Sequence, residues 1–202
     1  MCTLPELLRH ATNGVSPLKG IIGEKLQTVS SSPIPPGCSC YGFHLAKDEL
    51  APPLNRIDAK FIHVVVHNPE KEITCYPIQR ESGEKIYAVS FDFSGCFMAL
   101  FEHGGILYAA HITTSSDQSV NGRAAFTTLI RGGITNYIVY NPFEGMEDHT
   151  AGIIEFTGFD SFHCYSFGQN NHSLRKREVN KNDAHVLTET AHPRPQSRCV
   201  LF

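Results

Sequence analysis

Apolar and polar positions alternate in short blocks along most of the chain, and the clearest pair of blocks is central. Phe97 to Phe101 and Ile106 to Ala110 are continuous apolar runs separated by a break around His103, Gly104 and Gly105, the composition of a tight hairpin turn. Both faces of that hairpin are apolar, as in a strand pair covered on both sides. Upstream, Phe61 to Val66, Glu72 to Tyr76 and Ile86 to Ser90 read as strands bounded by Asn68-Pro69, Pro77 and Ser82-Gly83. Downstream, residues 121 to 131 place Ala125, Phe126, Leu129 and Ile130 on one helical stripe closed by Gly132-Gly133. Ile134 to Tyr140, Gly152 to Thr157 and Phe162 to Phe167 are three further strands. Strands on both sides of one helix predict an α+β fold with a mixed or antiparallel β-core.

The flanks differ in character. Thr3 to Glu6 has the form of a capping box opening a short helix that ends at Asn13-Gly14, and residues 14 to 40 are rich in Ser, Pro and Gly. From Gln169 the chain turns polar, with one last short strand expected from Ala184 to Glu189. The expected organisation is an N-terminal helix and arm (1–40), a β-rich catalytic domain (41–170) and a polar tail (171–202). Asp117 and Asn121 are expected to cap the central helix, His103 to sit in the turn, and Tyr108 to pack in the core.

Composition narrows the function classes. With 202 residues, 41 % hydrophobic, 18 % charged and a net charge of −3, the chain is a packed globular domain with no basic field to recommend nucleic acid. No run approaches the roughly 18 apolar residues of a membrane-spanning helix, and the N-terminus has no secretory signal pattern. Seven irregularly spaced cysteines point to reduced thiols rather than a disulfide framework. Cys38, Cys40 and His44 lack the spacing of a zinc site, and His63 and His67 lie four apart on a β-branched run, where that spacing loses its helical meaning. No metal or cofactor is expected.

The chemistry concentrates at the hairpin. If the loop is His103-Gly104, Cys96 lies directly opposite His111; if it is Gly104-Gly105, the two are diagonal neighbours, and in both registers they share a face. Opposed Cβ atoms sit about 4.5–5.5 Å apart, within reach of a thiol–imidazole hydrogen bond. A cysteine beside a histidine is the minimal apparatus of thiol nucleophilic catalysis. Ser94 and Gly95 would allow a sharp turn whose amides form an oxyanion hole. The alternative is a buried cysteine and a core histidine.

Phe93-Ser94-Gly95-Cys96, with His111 fifteen residues on, resembles the Leu-Ser-Gly-Cys…His signature of the cytotoxic necrotizing factor catalytic domain and the Burkholderia lethal factor, bacterial protein-glutamine deamidases. Chemoreceptor deamidases share the Cys–His arrangement. In two of these groups a threonine six residues before the cysteine completes the triad. Here Ser90 stands at that position, keeping the hydroxyl, and Phe93 replaces the Leu. The necrotizing factors instead use a backbone carbonyl from an earlier strand. The resemblance spans Ser90 to His111 and implies a sandwich of mixed β-sheets flanked by a few helices, catalysis by Cys96, His111 and Ser90, a host protein carrying a reactive Gln as substrate, a monomer and no cofactor. Deamidation and transglutamination stay open, since an amine can replace water at the thioester. Another Cys–His hydrolase, a protease or amidase, would share the same residues, and a silent β-rich interaction module would bury them.

Cys199-Val200-Leu201-Phe202 fits a C-terminal prenylation box. Arg175, Lys176, Arg177, Lys181 and Arg198 would add a weak basic signal for a membrane tether. A eukaryotic lipidation motif on a bacterial catalytic signature leads to the expectation of a secreted toxin or effector, delivered into the host cytosol and lipidated there at host membranes.

Overall fold

The computed structural model describes residues 2–11, 14–20, 25, 33–115 and 119–188. Asp117, Arg198 and the Cys199 box lie outside the described residues. Among the described residues eleven strands form two sheets: β1 (Cys38–Cys40), β2 (Gly42–Ala46), β3 (Phe61–Val65), β4 (Ile73–Ile78), β5 (Ile86–Phe93), β6 (Phe97–His103), β7 (Ile106–Ile112), β8 (Tyr137–Tyr140), β9 (Thr150–Gly158), β10 (Ser161–Gly168) and β11 (Leu174–Arg177). Among the described residues the α-helices given bounds are α1 (Leu4–His10), α2 (Ser16–Gly20) and α3 (Gly122–Arg131). One sheet has five strands in the order β1-β4-β7-β6-β8, the other six in the order β11-β10-β9-β5-β3-β2. Both are mixed, because β1 runs parallel to β4 and β3 parallel to β5 while the other pairs are antiparallel. The fold is the expected α+β sandwich.

Alternation of side chains along each strand sorts the residues into layers. Met98, Leu100, Leu107, Ala109 and Ile138 of the five-stranded sheet meet Val65, Ile86, Ala88, Ile154 and Phe156 of the six-stranded sheet in an inter-sheet core. Much of the opposite faces is covered as well. Phe97, Phe101, Tyr108 and Ile112 pack under Phe126 and Leu129 of α3, and Val64, Tyr87, Val89 and Ile153 pack under Leu4, Leu8 and Leu18. Sheets covered on both faces explain why their strands read as continuous apolar runs.

Several details differ from the sequence expectation. The strand expected to stop before Pro77 runs through it to Ile78, where Pro77 pairs only with Tyr108 of β7 because the three-residue β1 on the other side ends at Cys40, opposite Cys75. A proline tolerates that edge position, having no N–H to leave unpaired. Ala184 to Thr188 does not form a strand, since His185–Leu187 is a single 3-10 turn, and Glu189 lies outside the described residues. β1, β2 and β11 went unread in the sequence. Leu4 and Leu8 of the N-terminal helix lie in the buried core, and β11 of the polar tail pairs with β10, so the packed unit draws on both flanks of residues 41–170. Glu6 accepts a hydrogen bond from the Thr3 amide at 3.0 Å, as the capping box requires, and the helix ends at His10.

Candidate functional site

The hairpin register settles the placement of Cys96 and His111. His103 pairs with Ile106, leaving Gly104 and Gly105 as the two-residue loop, and both glycines have positive φ, 59° and 78°. A twisted hairpin needs that at both central positions, and glycine supplies it without steric cost. His111 therefore faces Met98, two residues along from Cys96 on the same face.

Cys96 reaches that face through a corner. β5 belongs to the six-stranded sheet and β6 to the five-stranded one, so Ser94, Gly95 and Cys96 carry the chain across the end of the sandwich. The crossing begins with a bulge in β5: the register against β9 breaks between Ser90 and Phe93, and Asp92 takes φ 61°. The extra residue lets Ser90 and Phe93 both face the inter-sheet space, although three positions apart, while Phe91 packs on the outer layer. Gly95, at φ 148°, completes the corner, and its carbonyl accepts from Thr114 Oγ1 at 2.9 Å.

Around His111 the hydrogen bonds run in one direction. The Ser90 hydroxyl donates to the Val65 carbonyl at 2.9 Å, and Ser90 Oγ lies 2.9 Å from His111 Nδ1. A hydroxyl has one proton, and a carbonyl can only accept, so Ser90 Oγ accepts from His111 Nδ1–H. That fixes the tautomer and leaves the lone pair on Nε2, which is buried and has no hydrogen-bond partner among the described residues. The hydroxyl of Ser90 and a carbonyl on an earlier strand are both in line behind the imidazole.

Two rings clamp the imidazole. Phe93 stacks on it at 4.2 Å with planes 7° apart, and His67 stacks at 4.2 Å with planes 19° apart. Room for Phe93 comes from Gly152, which pairs with Ser90 on β9: a Cβ there would come within 3.1 Å of the Phe93 ring and 2.7 Å of Met98 Sδ. One ligand-type atom each of His67, Cys96 and His111 lies within 4.8 Å of the other two. Burial holds His111 well below the usual histidine range, with the neighbouring His67 adding to the effect. His67 is also lowered by burial, against a partial offset from the Asp92 carboxylate. At neutral pH His111 is an uncharged base.

Two features bear on that chemistry. The thiol and imidazole share a wall, but Nε2 has no hydrogen-bond partner among the described residues, so the bond that strand spacing puts within reach is not made. Nor does the pair stand open at a cleft, since Cys96, His111 and Ser90 all have zero exposed area. The reason is the layer they occupy: covered sheets bury whatever faces their interior. His67 is the partly exposed member of the group. A cleft of about 770 Å³ is lined by Lys47, Asn55, Asp58, Phe61 and Lys85 at the start of β3 and β5, whereas the site lies toward their other ends. A smaller one of about 100 Å³, bordered by Ser94, Phe143, Glu147, Asp148 and His149, adjoins the corner that carries Cys96.

His67 is the site residue that the sequence did not yield. It shares strand parity with Val65, and β3 pairs with β5 so that Val65 sits beside Ser90. Only that pairing connects it to the site. Asn121 caps α3 as expected, its Oδ1 accepting from the Ala124 amide at 3.2 Å. Tyr108 is buried in the core and His103 borders the turn. Of the basic residues, Arg177 pairs with Glu144, and Lys181 with Asp160 at 2.6 Å. Cys40 and Cys75 were not expected to meet, yet their sulfurs lie 3.5 Å apart across β1 and β4. Comparison with known proteins adds no relative: no family model and no curated protein matches the chain.

Proposed function

We propose that the chain is a cysteine-dependent protein-glutamine deamidase acting on a protein of the cell into which it is delivered. The observation that carries this is the Val65–Ser90–His111 relay, which directs Nε2 away from its anchor while the Cys96 thiol lies on the same wall. A neutral, oriented imidazole is what a general base for a thiol requires. His111 Nε2 takes the thiol proton as Cys96 Sγ attacks the carboxamide carbon of a substrate glutamine. The proton then goes to the departing nitrogen, releasing ammonia and leaving a thioester. Water gives its proton to His111 and adds to the thioester carbon; the C–S bond breaks, glutamate is released and the thiol regains its proton. An amine in place of water gives transglutamination. The corner at Ser94 and Gly95 would supply the amides facing the oxyanion.

The substrate amide enters only if the wall opens. The cleft beside Ser94 and the half-buried His67 are where it would give way. Complete burial of Cys96 and His111 favours the competing possibility, a silent β-rich module. One assay separates them. The purified chain, incubated with a eukaryotic cytosolic extract, is expected to release ammonia and convert Gln to Glu in a substrate identified by peptide mass spectrometry, and Cys96→Ser is expected to do neither. Ammonia release that survives in Cys96→Ser, or its absence in the wild type, sinks the deamidase. The Cys199 box would add a prenyl tether, tested by mass spectrometry of the C-terminal peptide after expression in a eukaryotic cell; an unmodified Cys199 excludes it.

A further inference from the structure

We propose that His67, Cys96 and His111 form a three-ligand site for a zinc-class divalent cation, and that its occupancy shuts off the thiol chemistry. The inhibitory half rests on the deamidase proposal; the metal site does not.

The donor set comes first. Two imidazoles and one thiol are the ligands zinc prefers, while magnesium and calcium demand oxygen atoms, which this triad does not offer. The donors lie within 4.8 Å of one another, against about 3.3–3.6 Å for nitrogen and sulfur atoms bonded to one tetrahedral ion at ordinary zinc distances. The group has to draw in by about an ångström. His67 can supply that movement, because it follows the end of β3 and is the half-buried residue of the three, whereas the other two are fixed within the sandwich.

An independent observation points to a ligand. His67 Nε2 and His111 Nε2 are both buried and both lack a hydrogen-bond partner among the described residues. Buried polar atoms are seldom left so, and two on stacked neighbouring rings are a doubled cost that one cation would relieve. His111 is already set for ligation, since Nδ1–H is held by Ser90, the outer-shell bond that orients a metal-binding imidazole and raises its basicity. The His67 and His111 planes are 19° apart, so their lone pairs lie in nearly parallel planes and the His67 ring has to turn for both to reach one ion.

Binding forms a metal–sulfur bond and releases the Cys96 thiol proton to solvent, so affinity rises with pH. The ion then occupies the nucleophile and the base together, and its fourth position is left for water. Removing the ion restores both groups.

The full chain, stripped with a chelator, is titrated with Zn²⁺ against a chromophoric competitor and separately with Co²⁺. One equivalent per chain is expected, with the visible bands of a tetrahedral cobalt site and a sulfur-to-cobalt charge-transfer band in the near ultraviolet. Cys96→Ser should abolish the charge-transfer band, and His67→Ala should weaken Zn²⁺ binding by about tenfold or more. Cys40→Ser should change neither, and circular dichroism of each variant reports whether it has folded. The wild-type cobalt spectrum is decisive without any variant: absence of a thiolate band overturns the site. So does a band lost in Cys40→Ser and kept in Cys96→Ser, or Zn²⁺ affinity indifferent to His67→Ala. Ammonia release blocked by Zn²⁺ and restored by chelator supports the inhibitory role, and release unaffected at saturating Zn²⁺ overturns it. Metal binding in a chain that never releases ammonia ends the deamidase proposal and leaves the metal site standing.

Discussion

Ser90 Oγ stands 2.9 Å from His111 Nδ1 and 2.9 Å from the Val65 carbonyl oxygen, so a single hydroxyl joins one sheet of the sandwich to the imidazole of the other. The bond does two things at once: it satisfies a buried N–H and selects the tautomer that leaves Nε2 basic.

Replacing Ser90 tests that bond. Ser90→Ala strands both the Nδ1–H and its own place on the Val65 carbonyl, which should cost about 1–3 kcal/mol in folding and most of the turnover on a protein substrate. Ser90→Thr keeps the hydroxyl and should restore activity and its pH profile. If the alanine variant retains the wild-type rate and profile, Ser90 does not orient the base.

Stability should fall with acid in a characteristic window. Burial pushes His63 down to about 3 and holds His67 and His111 below the usual value, so each is neutral in the folded chain while its unfolded counterpart titrates near 6.5. Below that pH the unfolded state binds more protons, and stability declines as pH falls from about 6.5 toward the folded values. Each fully buried histidine contributes at most about 1.4 kcal/mol per pH unit, and His67, partly exposed, contributes less. Urea midpoints measured at pH 8, 6.5 and 5 should fall slightly across the first interval and much more across the second. A flat profile to pH 5 would contradict neutral burial.

Gly152→Ala should loosen the clamp on His111. The added Cβ would lie 2.7 Å from Met98 Sδ, 2.9 Å from Pro142 Cγ and 3.1 Å from Phe93 Cε2. Overpacking of this kind costs about 1–3 kcal/mol, and here it displaces the ring stacked on the imidazole. A fall in both thermal midpoint and turnover is expected; an unchanged midpoint would mean that Met98 and Phe93 yield freely.

Asn121→Ala removes the side-chain acceptor for the Ala124 amide at the start of α3 and should destabilise by about 1 kcal/mol, read as a lower urea midpoint with an unchanged slope. A loss below a few tenths would show that solvent replaces the cap.

The parts legible in the sequence were those with a local cause. The apolar stripe of Phe126 and Leu129, the Asn121 cap, the paired glycines of the hairpin and the shared face of Cys96 and His111 all follow from periods and turn rules within a few residues. What escaped was set by pairing at a distance. β1 is three residues long and exists only beside β4, and His67 sits on a run whose strand spacing said nothing of function. Pro77 looked like a boundary because a sequence does not show that the neighbouring strand stops short.

The amino-acid order by itself determined which residues alternate, where the chain can turn with positive φ, and hence that a sulfur and an imidazole fall on one side of a hairpin. Tertiary structure decided what stands behind and over them: Val65 and Ser90 at the back, His67 and Phe93 on the two ring faces, and no direct path to solvent. The physical reason is that hairpin geometry is fixed by backbone torsions a few residues apart. Enclosure depends on two sheets packing face to face, and that is settled by contacts among strands far apart in the chain.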